Sequence, residues 1–169
     1  MNAIDVLRDL FGRVETNVHG AVEGLDEAAL THRVGGDANS IAWLVWHLTR
    51  VQDDHVADVA GTEQVWTAQG WVTRFGLPFA PEATGYGQGS EEVAAVRTGA
   101  ELLLGYYDAV HERTLEYLSG IGEADLDRIV DRRWDPPVTL GVRLVSVADD
   151  DIQHSGQAAF VRGVLEESA

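Results

Sequence analysis

Over the first turns of the chain, apolar residues recur at three- and four-residue steps: Ile4, Leu7, Leu10, Phe11, Val14, Val18, Ala21 and Val22. That period is the stripe of an amphipathic helix, so a first segment from roughly Asn2 to Leu25 is expected to be helical. Gly24 and Asp26-Glu27 interrupt it, and Leu25 to Thr31 reads as a short second helix before Gly35-Gly36-Asp37 breaks the pattern. Asn39-Ser40 is an N-cap pair for the next long segment, which Ile41, Leu44, Val45, Leu48, Val51, Val56 and Val59 carry to Ala60 and Gly61 stops. Its first half, Ile41-Ala42-Trp43-Leu44-Val45-Trp46, is apolar all round, which predicts a central helix.

Between Gly61 and Ser90 the pattern is irregular and holds Trp66, Trp71, Phe75, Phe79 and Tyr86. Aromatics in a long loop need something to pack against, so this region is expected to cover part of the bundle. A third helix is predicted from Ser90 to Leu118 on Val93, Val96, Ala100, Leu103, Leu104, Tyr107, Val110 and Leu115, ended by Gly120. The polar stretch to Leu140 contains Pro136-Pro137, with Ile129-Val130 and Val138–Leu140 as short extended pieces. A last helix is predicted from Gly141 to Leu165. Four long helical segments predict an all-α four-helix bundle, a single domain over residues 1–169.

Composition narrows the function. A formal net charge of −16 repels phosphate backbones and anionic lipid, so neither nucleic acid nor membrane is an expected partner. No run approaches the roughly 20 apolar residues of a membrane helix, and Met1 to Asp5 does not resemble a targeting signal, so a cytoplasmic location is expected. The absence of cysteine removes disulfides, thiolate ligands and a cysteine nucleophile; any thiol chemistry has to come from a bound cofactor. All 12 basic residues are arginine, which points to a GC-rich genome.

Of the six histidines, two stand apart. His47 lies inside the apolar run, where an unpaired imidazole would cost about 1–3 kcal/mol. His154 follows Asp150 by four residues and Asp151 by three, so either carboxylate can share a helix face with it. A carboxylate and an imidazole one turn apart, joined by a histidine from another helix, make a three-ligand set with open positions for water or substrate. His55 and Asp54 stand too far along the helix from His47 to share an ion, eight residues being about 12 Å, and read as surface or loop-facing groups. His111 with Glu112 reads as exposed helix surface. Gly156 reads as a point of close helix packing.

Two stretches resemble a known family: Asn39-Ser-Ile-Ala-Trp-Leu-Val-Trp-His47-Leu-Thr-Arg-Val-Gln-Asp-Asp-His55 and Asp150-Asp-Ile-Gln-His154-Ser-Gly-Gln157 onward to Gly163. They are similar to the DinB-like superfamily, in particular an actinobacterial branch. The resemblance implies an up-down-down-up four-helix bundle, often a homodimer, with a divalent metal ion held by His47, Asp150 and His154. Zinc or nickel is the first expectation; a carboxylate where many relatives carry histidine also suits manganese or iron. Characterised relatives include mycothiol-dependent maleylpyruvate isomerase and bacillithiol S-transferases. The resemblance therefore implies a metal that binds a small thiol such as mycothiol, in an S-transferase or isomerase acting on a small molecule. Trp66 and Trp71 would then be pocket walls. The competing readings are a metal-dependent hydrolase, with Asp151 as base, and a non-catalytic stress-related scaffold.

Overall fold

Residues 1–167 are described by a computed structural model. Helix α1 (Ala3–Val22) begins at Asn2, whose side chain accepts from the Asp5 backbone at 2.9 Å while Asp5 accepts from the Asn2 backbone at 2.9 Å. This reciprocal cap satisfies two N–H groups that a helix start would otherwise leave open. A single turn, α2 (Glu27–Leu30), follows on an Asp26 cap. Helix α3 (Ile41–Ala60) starts on Ser40, as its sequence predicts, and ends on Gly61 at φ 67°, a left-handed conformation that glycine adopts freely. Every residue from Ile41 to Arg50 is buried, which confirms the central position of this helix.

Two short helices, α4 (Val65–Ala68) and α5 (Trp71–Phe75), lie in the covering region. The third predicted helix is broken. A short α6 (Ser90–Ala95) and the long α7 (Ala100–Ser119) are separated by Val96 to Gly99, with Val96 extended at ψ 90° and Gly99 capping α7. The apolar period runs across this break because Val96 and Thr98 are buried without being helical. A small hairpin, β1 (Ile129–Asp131) with β2 (Val138–Thr139), leads into α8 (Leu140–Glu167), where extended pieces and a helix are predicted.

Pairs of side chains fix the direction of the four long helices. His19 meets Asp108 and Glu15 meets His111, so α1 and α7 are antiparallel. Leu7 and Phe11 pack with Leu144 and Val147, while Arg162 donates to the carbonyl of Glu23, so α1 and α8 are parallel. Trp43 contacts His154 and His55 contacts Arg143, so α3 and α8 are antiparallel. The order is up, down, down, up.

The covering region seals the core through its aromatics. Trp66, Trp71 and Phe75 pack on Tyr106 at ring separations of 5.0, 5.8 and 5.9 Å. A Cβ on Gly105 would come within 2.9 Å of the Trp71 ring, so glycine is what lets this indole lie against α7. Among the described residues, no helix is long and apolar enough to cross a membrane.

Candidate metal centre

Helices α3 and α8 bring His47, Asp150 and His154 together: one ligand atom from each lies within 4.8 Å of the others. The two imidazole rings are 4.8 Å apart and tilted by 58°. Trp43 stacks on His47 at 4.6 Å and meets His154 edge-on at 6.2 Å, and its own Nε1 donates to Gln88 at 2.8 Å. The indole thus packs against two imidazoles at once and leaves them little freedom to turn.

The covering region selects the tautomer of His47. Its Nδ1 donates to the carbonyl of Thr84 at 2.5 Å. The lone pair is therefore on Nε2, the arrangement of a ligating imidazole held by a backbone carbonyl behind it. Burial pushes the His47 pKa down, partly opposed by the Thr84 bond and the charge of Asp150, with His154 adding to the fall. A neutral ring keeps its lone pair available for a metal ion.

Two atoms of the group are buried and lack hydrogen bonds, Asp150 Oδ2 and His154 Nδ1. Buried polar atoms are normally satisfied, and orphans clustered in one place suit a missing partner such as a cation. A donor set of two nitrogens and one carboxylate oxygen fits zinc, nickel, manganese or iron.

Asp151 is not part of the group. Adjacent helix residues are rotated by about 100°, so placing Asp150 on the His154 face turns Asp151 away. Asp151 is completely buried, its carboxylate oxygens have no hydrogen-bond partner, and burial raises its pKa well above the usual range. Burial first, and Asp151 second, raise the pKa of the Tyr107 hydroxyl on α7.

A cleft of about 630 Å³ opens beside the group, lined by His47 and Asp150 and continuing past Val51 to Asp54 and His55. Thr84, Tyr86, Arg133, Trp134 and Ser146 complete its walls. His55 and Asp54 are therefore cleft residues, although they stand apart from the ligand group as their spacing requires. Trp66 and Trp71 do not line the cleft; they are 3% and 8% exposed, in the core. Two further expectations fail. His111 is 5% exposed and stacked on Tyr107 at 5.9 Å, because α1 covers that face of α7. Gly156 is exposed and has no atom within 4 Å of where a Cβ would stand, so no helix packs there.

Nothing in the sequence pattern marks Thr84, Gly85, Arg133, Arg143 and Trp134 as site residues, and Tyr86 reads there only as a covering aromatic. All but Arg143, which lies in the first turn of α8, reach the site from a loop and a hairpin, where no helical period announces a direction. The one available signal was the glycine pair around Tyr86: Gly85 sits at φ 97° and Gly87 at φ 75°, both unfavourable for other residues.

Helices arranged up, down, down, up, with a three-residue candidate ligand group between two of them beside a cleft, define a class of bundle proteins with a candidate metal site between α3 and α8. A family model described as the DinB superfamily matches residues 10–158, and the chain belongs to that superfamily. A conserved protein from Enterococcus faecalis, known from its crystal structure, is 30% identical in sequence with a TM-score of 0.89, over 96% of each chain. No curated protein matches the chain.

Proposed function

We propose that this protein binds one divalent metal ion through His47 Nε2, Asp150 and His154, and uses it to hold and activate a small thiol-bearing molecule in the adjacent cleft. The observation that carries the reading is the ligand group itself, three atoms within 4.8 Å of one another at the edge of a cleft of about 630 Å³. Three protein ligands leave coordination positions for an exogenous group, and the cleft gives that group access. A bound metal ion of this kind lowers the pKa of a coordinated thiol and supplies a thiolate.

The residues around the group have separable tasks. Thr84 fixes the tautomer of His47, and Trp43 fixes the planes of both imidazoles. Asp150 supplies a negative charge that partly neutralises the ion. The lack of cysteine fits a protein that borrows its thiol, and mycothiol is the candidate suggested by family resemblance. S-transfer or isomerisation of a small molecule is then the reaction class. The cleft supports this over a purely structural metal. The hydrolytic reading is weaker, because Asp151, its intended base, lies buried away from the cleft.

The test is metal content by mass spectrometry on protein purified without a metal-affinity tag. Near-stoichiometric zinc, nickel, manganese or iron is expected in the wild type and loss of it in His47→Ala and His154→Ala. Thiol-dependent turnover of electrophilic small molecules by the loaded protein is expected next. A wild type that takes up no metal after incubation with each ion overturns the proposal.

A further inference from the structure

Two turns along α3 from His47, the same cleft is bordered by His55, and a neighbour dictates where the proton of that ring sits. Arg143 Nη1 lies 2.8 Å from His55 Nδ1. A guanidinium only donates, so Nδ1 accepts and the ring proton is on Nε2. Arg143 is itself held in place: its side chain is 12% exposed, and its Nη2 donates to Asp131 at 3.3 Å. Asp131 is gripped from the other side by Arg133 through two bonds of 3.0 and 2.8 Å. The hairpin and the start of α8 thus impose one tautomer on a residue of α3, and the Nε2–H it creates has no hydrogen-bond partner among the described residues.

We propose that His55 Nε2–H is a substrate-positioning donor, taking an oxygen acceptor at one end of an elongated small molecule whose other end is held at His47, Asp150 and His154. The inference rests on reading that group as a metal centre. Eight residues of α3 separate the two ends by about 12 Å, which sets the length of the molecule. Val51 lies between them on α3, and Tyr86 and Trp134, 93% and 67% exposed, add flat apolar surfaces to the walls of the cleft. Asp54 lies 3.9 Å from His55 Nδ1 and offsets the charge of Arg143, so recognition at this end falls to the directed N–H rather than to net charge. The ligand class is a small molecule with a metal-binding head and a carboxylate or carbonyl oxygen about 12 Å away.

The test uses cobalt-loaded protein and a series of ω-mercapto compounds. The thiolate-to-cobalt absorption band reports the metal end. Mercaptooctanoate and its amide are expected to bind about tenfold more tightly than octanethiol, the size of one hydrogen bond. His55→Phe is expected to remove that advantage while leaving mercaptopropionate unchanged, and His55→Gln, which keeps an N–H, to restore part of it. Long-range proton–nitrogen spectra of the metal-free protein are expected to show the Nε2–H tautomer of His55, and a mixture in Arg143→Met. Equal binding of mercaptooctanoate by wild type and His55→Phe, with the cobalt band intact, overturns the proposal alone. So does octanethiol binding as tightly as mercaptooctanoate, or an Nδ1–H tautomer in the wild type. Absence of any cobalt spectrum overturns the metal reading itself, and the proposal falls with it.

Discussion

A Cβ added to Gly85 would stand 2.6 Å from Nδ1 of His47. The loop backbone therefore lies directly on the imidazole edge, and this closeness lets Thr84 accept from the same nitrogen. Gly85 also sits at φ 97°, where a side chain is strained by about 1–3 kcal/mol. Gly85→Ala is expected to push the loop off His47 and release the ring from its tautomer. Metal affinity should fall about 10- to 100-fold, as when an outer partner of a ligating histidine is lost. Competition with a chromogenic chelator checks this; an unchanged affinity would mean that the Thr84 contact does not orient the ligand.

The loop is anchored by Arg50, which is completely buried. Its guanidinium donates to the carbonyls of Ala83 and Pro81 at 3.1 and 3.3 Å and to Gln64 at 2.8 Å, and it stands 5.0 Å over the Trp66 ring. Asp53, 3.6 Å from the same guanidinium, accepts from Tyr106 and from the backbone of Val65 and Trp66. Removing one member of a buried charged pair costs about 3–5 kcal/mol, so Arg50→Met is expected to destabilise the protein by that amount. Tyr106→Phe removes its donation to the Asp53 carboxylate and its acceptance from Arg50 at 3.2 Å, and should cost about 2 kcal/mol. Urea unfolding measures both, and a cost for Arg50→Met below that for Tyr106→Phe would contradict the anchoring role.

The link between α1 and α7 is pH-sensitive. Burial tends to lower the His19 pKa, but hydrogen bonds to Glu23 and Asp108, both 2.8 Å away, outweigh it and the value is raised. A histidine raised on folding contributes stability that is complete below its unfolded value of about 6.5 and is lost as pH rises through the folded value. His47, His55 and His111 have lowered values and slope the other way, losing stability as pH falls. The readout is therefore the difference in melting temperature between wild type and His19→Gln. That difference is expected to be full below about pH 6.5 and to shrink as pH rises above it, and to be reduced by salt because both carboxylates are exposed. A difference that does not vary with pH would remove His19 as the cause.

Much of this could be read from the sequence because helices write their own direction. The stripes of α1, α3 and α8, the Ser40 cap and the Gly61 stop follow from local pattern, which also puts a carboxylate near His154 but leaves Asp150 and Asp151 both open. The break at Val96 to Gly99 was hidden because buried residues there keep the helical spacing while the backbone leaves it. His111 beside Glu112 has the look of a solvent-facing pair, and it is buried because α1 lies over it. Of the outer half of the cleft the sequence shows only Asp54 and His55 as loop-facing groups and the glycines that flank Tyr86. Tyr86, Arg133 and Trp134 reach it from a loop and a hairpin, where side-chain direction depends on tertiary packing.

Asp150 and Asp151 are neighbours with opposite prospects. Asp150 faces His154 and has one buried oxygen without a partner, as a ligand awaiting an ion would. Asp151 faces the core with both oxygens unpartnered, and nothing in the cleft reaches it. An uncompensated polar group in a core opposes folding, whereas the same group on a metal is compensated only when the metal is bound. Asp150→Asn is therefore expected to lower metal content and to abolish the rise in melting temperature on adding zinc. Asp151→Asn keeps the side-chain shape, carries no charge in the unfolded chain, and is expected to leave metal content unchanged while raising the melting temperature of the metal-free protein. Metal analysis and thermal unfolding of the two variants side by side decide the matter. If Asp151→Asn is the one that loses the metal, the third ligand is Asp151, and α8 must turn about its axis to present it.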